Sequence, residues 1–246
     1  MIGKTEQEIE LMREPNRIVR DCLNFVGERI RAGMTTKEID ELVYRFIKAS
    51  DAEPSCLGYC GYPASACVSV NETVVHGIPD GRVLREGDIV SVDLCAYKNG
   101  YHGDGARTFA IGAISAENEK LIRVTEECFF RGIEGLKAGT PLYDIGYRVQ
   151  QHAEKNGFSV IRAYTGHGIG REMHEDPSVP NFGRKGTGMR LPVNTVICIE
   201  PMIAAGGFRV NVLDDGWTAV TRDGKCAAHY ENTVVVREDG VEILTL

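Results

Sequence analysis

The sequence predicts an α+β domain built from two similar halves, each with helices followed by antiparallel strands. Three observations predict it. Two stretches with helical apolar spacing open each half. The segment CLNFVGERIRAGMTTKEI (22–39) aligns with CFFRGIEGLKAGTPLYDI (128–145) at an offset of 106, with Cys, Glu, Ala-Gly and Ile coinciding. The strand-like DIVSVDL (88–94) aligns with TVICIEP (195–201) at an offset of 107, which superposes Asp93 on Glu200. Asp104 then falls on Glu231 once an insertion is allowed. One domain over residues 1–246 is expected, with halves of approximately 1–112 and 113–246.

The elements follow in order. Thr5 with Glu8 is a capping box opening the first helix, whose apolar face is Ile9, Met12, Val19, Leu23, Val26 and Ile30. Pro15 lies inside this pattern and is expected to kink the helix or end its first segment. Thr35 with Glu38 opens a second helix striped by Ile39, Leu42, Val43, Phe46 and Ile47. Gly- and Pro-punctuated strands fill about 55–112. A third helix is expected near 116–137 and a fourth capped by Thr140, with Pro141 at its first position. Strands occupy the remainder.

Composition excludes several function classes. The net charge is −7 and no Lys/Arg block stands out, so nothing marks a nucleic-acid partner. No run approaches the roughly 18 apolar residues of a membrane span. The opening MIGKTEQEIE lacks the apolar core of a signal peptide, and a cytoplasmic protein is expected. Eight cysteines include no C-x-x-C pair and are read as free, mostly buried thiols. The spacing of Cys56, Cys60 and Cys67 does not suit a structural zinc site.

The chemistry lies in the superposed acids. An unpaired carboxylate at the end of a buried strand costs on the order of several kcal/mol. A pseudo-two-fold between the halves would bring Asp93, Asp104, Glu200 and Glu231 to one place. Four carboxylates there cannot all ionise without cations, and four negative charges match two divalent metals. His167, in YTGHGIG, is the best further ligand, its flanking glycines giving the backbone freedom to aim the ring.

With these residues in view, the motifs HGIPDG, VSVDL, YHGDGARTF, TGHGIGREMHEDP, ICIEPM, DGWT and HYENTVVV resemble those of the type I methionine aminopeptidases. The resemblance runs from the first helix to VEILTL. It implies the pita-bread fold, with two pseudo-symmetric halves whose helices cover a strongly curved antiparallel sheet. It also implies removal of N-terminal methionine from nascent proteins and peptides when the second residue is small.

By the same resemblance, Asp93, Asp104, His167, Glu200 and Glu231 are the metal ligands. Asp104 and Glu231 bridge two ions, Asp93 binds one with both oxygens, and His167 and Glu200 complete the other. The oxygen-rich set favours Co, Mn or Fe(II). Glu200 also carries the proton, and His76 and His174 contact substrate and the developing tetrahedral centre. Cys56, Tyr59, Tyr62, Cys67 and Trp217 line the methionine pocket, with Met173 where the family has phenylalanine. His102 and His152 are expected away from the chemistry, at the surface or in an outer layer.

Around Glu231 the family pattern is Ser-Ala-Gln-(Phe/Tyr)-Glu-His-Thr, and here Ala227-Ala228-His229-Tyr230-Glu231-Asn232-Thr233 stands instead. His229 shares a strand face with Glu231. It is read either as a donor to that carboxylate, as an added ligand, or as a packing residue pointing away. The expected partners are the N-termini of nascent polypeptides, with room for a transient ribosome contact, and the protein is expected to be a monomer. The rivals are a proline-type aminopeptidase or dipeptidase of the same fold and a non-catalytic pita-bread binding module. The former usually carries an extra N-terminal domain; the latter has lost its ligands.

Overall fold

The structure is a computed structural model that describes residues 3–246. Four α-helices, α1 (Glu6–Gly27), α2 (Thr36–Ala49), α3 (Ala116–Ile133) and α4 (Tyr143–Lys155), accompany one nine-stranded sheet and two three-stranded sheets. Capping boxes at Thr5/Glu8 and Thr35/Glu38 open α1 and α2 as the sequence predicts.

Two helix expectations need adjustment. Of the two alternatives at Pro15, the end of a segment is ruled out: α1 is one helix of 22 residues with Pro15 inside it. The helix is held there against the sheet: a Cβ on Gly103 would lie 2.6 Å from the Asn16 amide nitrogen, so the strand presses directly on the proline turn. The Asn16 side chain donates to the Met12 carbonyl at 2.8 Å, adding a hydrogen bond in that turn. Thr140 does not cap α4, which begins at Tyr143 after Leu142 with no side-chain cap. The backbone of 139–143 is instead laddered to 187–191, through Gly139 N–H to Leu191 O, Leu191 N–H to Thr140 O and Leu142 N–H to Met189 O. That pairing keeps Thr140 and Pro141 extended and postpones the helix.

Every strand pairing is antiparallel. Along the large sheet the order is Glu53–Pro54, Ile89–Lys98, Tyr101–Ala110, Glu231–Val236, Val196–Ile199, Gly166–Gly168 and Glu175–Val179, with Ala66–Val70 also pairing with Ile89–Lys98 and Val241–Ile243 with Glu231–Val236. The strands carrying Asp104 and Glu231 are thus neighbours, flanked by those leading to Asp93 and Glu200.

Strand alternation sorts the two faces. Val90, Val92, Leu94 and Ala96 join Val19, Leu23, Ile39 and Val43 in one core beneath α1 and α2. Ile197, Ile199, Val234 and Val236 pack with Phe129 of α3 and Ile145 of α4 in another. The alternate residues include Asp93, Asp104, Glu200 and Glu231 on the cavity face, whereas Cys198 and Val235 pack with Ile9 and Met12 of α1. A carboxylate ends up on a buried strand because only one face of that strand belongs to the apolar core.

Candidate metal centre and substrate cleft

Register assembles the carboxylates. Ala106 pairs with Asp93 on one side and with Glu231 on the other, while Asp104 pairs with Cys95. Asn232 pairs with Ile199, which sets Glu200 beside Glu231. Asp93, Glu231 and Glu200 thus form a row across the sheet, with Asp104 two residues along its strand. Asp104 and Glu231 are 3% and 2% exposed, whereas Asp93 opens partly to the cleft.

His167 meets this row from the next strand. Its Nδ1 bonds the Gly168 carbonyl at 2.8 Å, so Nδ1 carries the proton and Nε2 is a free lone pair. Nε2 stands 3.6 Å from Asp104 Oδ2 and 3.7 Å from Glu200 Oε1. Burial and the neighbouring His174 bring its pKa down to about 4, which keeps the ring neutral and ready to ligate. The flanking glycines serve a different purpose from the expected freedom. Neither has a positive φ. A Cβ on Gly166 would sit 2.3 Å from the Cys198 carbonyl oxygen, and one on Gly168 would sit 2.3 Å from that of Asp176. They let the strand pass between two backbones.

The donor set fits divalent cations. Among the described residues no Lys or Arg side chain forms an ion pair with any of the four carboxylates. Asp104 Oδ1 and Glu231 Oε1 are sealed from solvent without a partner. Burial first, and then the other acids, push Asp93, Glu200 and Glu231 well above the usual carboxylate range. Burial brings Asp104 up to about 6. Such a cluster ionises only if positive charge enters it. Donor atoms from Asp104, His167, Cys198 and Glu231 lie within 4.8 Å of one another, as do those of Asp93, Cys95 and Asp104.

The carboxylates form the floor of a cavity of about 420 Å³. Cys56, Tyr62, Cys67, Cys95 and Met173 pack together as one side of it, with Trp217 against them. Trp217 meets Tyr62 edge-on at 5.1 Å. Tyr59 lines the cavity too, but its hydroxyl bonds His174 Nδ1 at 2.8 Å. We assign the phenol, the more acidic group, as donor to Nδ1, which puts the imidazole proton of His174 on Nε2. That ring lies 4.3 Å from His167, centroid to centroid. Opposite, His76 adopts a left-handed φ of 59°, costly for any residue with a Cβ and typical of functional positions. The following Gly77 is clamped, since a Cβ there would approach the Val68 carbonyl oxygen to 2.5 Å. The His76 ring stands edge-on to Tyr164 at 5.2 Å. Burial lowers its pKa, with a smaller push from His174.

All the sequence-predicted site residues line this one cavity. His102 and His152 lie elsewhere, on Ser55 Oγ and Glu127 Oε2, each at 2.8 Å. All eight cysteines are free and six are buried. Sequence reasoning missed Cys95 and Cys198, each two residues from an acid and hence on its strand face, and Tyr164, three residues before His167. His229, whose direction the sequence left open, points inward: its Nε2 lies 3.7 Å from Glu200 Oε2 and 3.9 Å from Glu231 Oε2. Asn232 has a structural task, its Oδ1 accepting from Arg107 at 2.7 Å and Thr245 at 2.9 Å.

Comparison with known proteins places this geometry. The profile of metallopeptidase family M24 matches residues 10–238. The methionine aminopeptidase of Clostridium perfringens is 53% identical over 100% of this chain and 99% of its own. Methionine aminopeptidase 1 of Bacillus subtilis is 47% identical with the same coverage. The crystal structure of the Rickettsia prowazekii methionine aminopeptidase superposes with a TM-score of 0.98 at 40% identity, over 100% of both chains. The chain therefore has the pita-bread fold and belongs to the methionine aminopeptidase branch of metallopeptidase family M24.

Proposed function

We propose that this protein hydrolyses the peptide bond after an N-terminal methionine of nascent proteins and peptides when the second residue is small. The observation that carries the reading is the joining of four uncompensated carboxylates and His167 to a sulfur- and aromatic-lined pocket, with His76 and His174 at the junction. The pocket fits an unbranched thioether side chain, which makes favourable contacts with aromatic rings and sulfur.

Asp93, Asp104, His167, Glu200 and Glu231 would hold two divalent cations, with Co, Mn and Fe(II) suited to the donors. When bound, such cations lower the pKa of water and polarise a carbonyl. The chain's own groups do the rest. Glu200 accepts a proton from the attacking water and returns it to the leaving nitrogen. His174 Nε2–H and the His76 ring donate to the carbonyl oxygen as it gains charge. Cys56, Tyr62, Cys67, Met173 and Trp217 exclude water from around the methionine side chain.

The whole chain is read as one metallopeptidase domain with halves of approximately 1–112 and 113–246. The mirrored strand order about the Asp104–Glu231 seam supports this. A cytoplasmic monomer that meets nascent chains at or near the ribosome fits the reading. No helix among the described residues is long and apolar enough to cross a membrane.

The test is turnover of Met-Ala-Ser-type peptides, against Pro-Ala-Ser and Xaa-Pro peptides, with and without chelator. Chelator-sensitive release of methionine alone is expected. Preference for proline-containing peptides would sink the reading.

A further inference from the structure

One side chain outside the five ligands meets the geometric conditions for joining them. His229 is 1% exposed, and neither of its ring nitrogens has a partner. Its direction is fixed by its backbone. Thr108 Oγ1 donates to the His229 carbonyl at 2.8 Å and accepts from its amide at 2.9 Å. The strand Ala227–His229 is pinned on the other side by Met202–Ala204, with Met202 opposite His229.

The separations of Nε2 from Glu200 Oε2 and Glu231 Oε2, 3.7 and 3.9 Å, are too long for hydrogen bonds. They match those of His167 Nε2 from its own two carboxylates, 3.6 and 3.7 Å. Two donors that each sit about 2.1 Å from a shared ion stand roughly 3–4 Å apart. Donor atoms of Glu200, His229 and Glu231 fall within 4.8 Å of one another as a group of their own. We propose that His229 is a sixth protein ligand, its Nε2 binding a divalent cation together with Glu200 and Glu231. This rests on the metallopeptidase reading and adds a second imidazole to a site otherwise held through His167 and oxygens. A second nitrogen shifts the preference toward cobalt and iron relative to manganese.

The test uses the full chain stripped of metal, as native protein and as His229→Gln and His229→Leu. Circular dichroism melts of the metal-free proteins establish that each variant folds. Co(II) and Mn(II) are then titrated by calorimetry, and electron spin-echo modulation of the Mn(II) form counts coordinated imidazole nitrogens. The expected result is two nitrogens in the native protein and one in each folded variant. Co(II) affinity should fall at least about tenfold, and Mn(II) affinity by a smaller factor. One nitrogen in native and variant proteins alike overturns the assignment, whether or not affinity changes. Failure of the native protein to bind either ion below millimolar concentration removes the metallopeptidase reading itself. If only one of the two variants folds, that variant decides.

Discussion

His167 and His229 stand against different oxygens of one carboxylate: each Nε2 is 3.7 Å from Glu200, the first at Oε1 and the second at Oε2. Glu200 is thus the acid that two neutral imidazoles share. Glu200→Gln keeps the shape of the site but removes both its charge and its proton-carrying capacity. Turnover is expected to fall about 10²–10⁴-fold, the usual worth of a positioned acid–base group, with the fold intact. Steady-state kinetics beside metal analysis would show this; activity within tenfold of native would assign the proton to another group.

His76→Ala and His174→Ala are expected to lower kcat/KM by about 10²–10³-fold, as for loss of an oxyanion donor, while leaving metal content unchanged. Neither ring is assigned to a cation, and His174 is already engaged by Tyr59. Loss of an ion in either variant would move that histidine into the ligand set.

Metal uptake should depend steeply on acidity. The raised carboxylate pKa values, with Asp104 at about 6, mean that the folded metal-free protein holds protons that the unfolded chain has already lost. These groups therefore favour the folded metal-free state at low pH. They cease to do so as pH rises through their raised values. Cations must displace the same protons, so affinity is expected to drop as pH falls through about 6. His167, neutral down to about 4, adds no proton to that exchange. The rise in Tm on adding Mn(II) should be larger near pH 7.5 than near pH 5.5. Equal rises would show that the acids are already ionised without metal.

Gly166→Ala is expected to destabilise the metal-free protein by at least about 2 kcal/mol, because its methyl would overlap the Cys198 carbonyl and the backbone must move. Metal binding should weaken as well, since His167 is the next residue. Urea unfolding of the stripped protein measures the first effect. A variant as stable as native would mean that the strand has slack the packing does not show.

Peptides with Ala, Gly or Ser after methionine should be cleaved far faster than those with Leu or Lys. Competition assays with matched peptides read this directly, and efficient cleavage before Leu would show a cleft wider than its lining implies.

Much of this was legible in the sequence. The helix starts at Thr5 and Thr35 are local chemistry, written within four residues. Duplication made the acids readable, because an offset of 107 superposes Asp93 on Glu200 whatever the fold between them. What failed was set by partners distant in sequence. Thr140 and Pro141 read as a helix start, but 187–191 claims their backbone. The glycines beside His167 read as flexibility, yet they record the nearness of Cys198 and Asp176. The direction of His229 was undecidable until Thr108, 121 residues away, fixed its backbone.

The seam at the middle of the large sheet also bears on how the molecule is made. Tyr101–Ala110 finds its far neighbour, Glu231–Val236, only across about 125 residues of chain, Ala106 with Glu231 and Gly105 with Asn232. A chain emerging from its amino end completes the strands up to Ala110 while one border still has unmatched amides and carbonyls. Such a border is a template for pairing with the wrong molecule. Contacts this distant in sequence also form slowly. The hazardous interval for this protein is therefore in its biosynthesis, between the appearance of Asp104 and the arrival of Glu231.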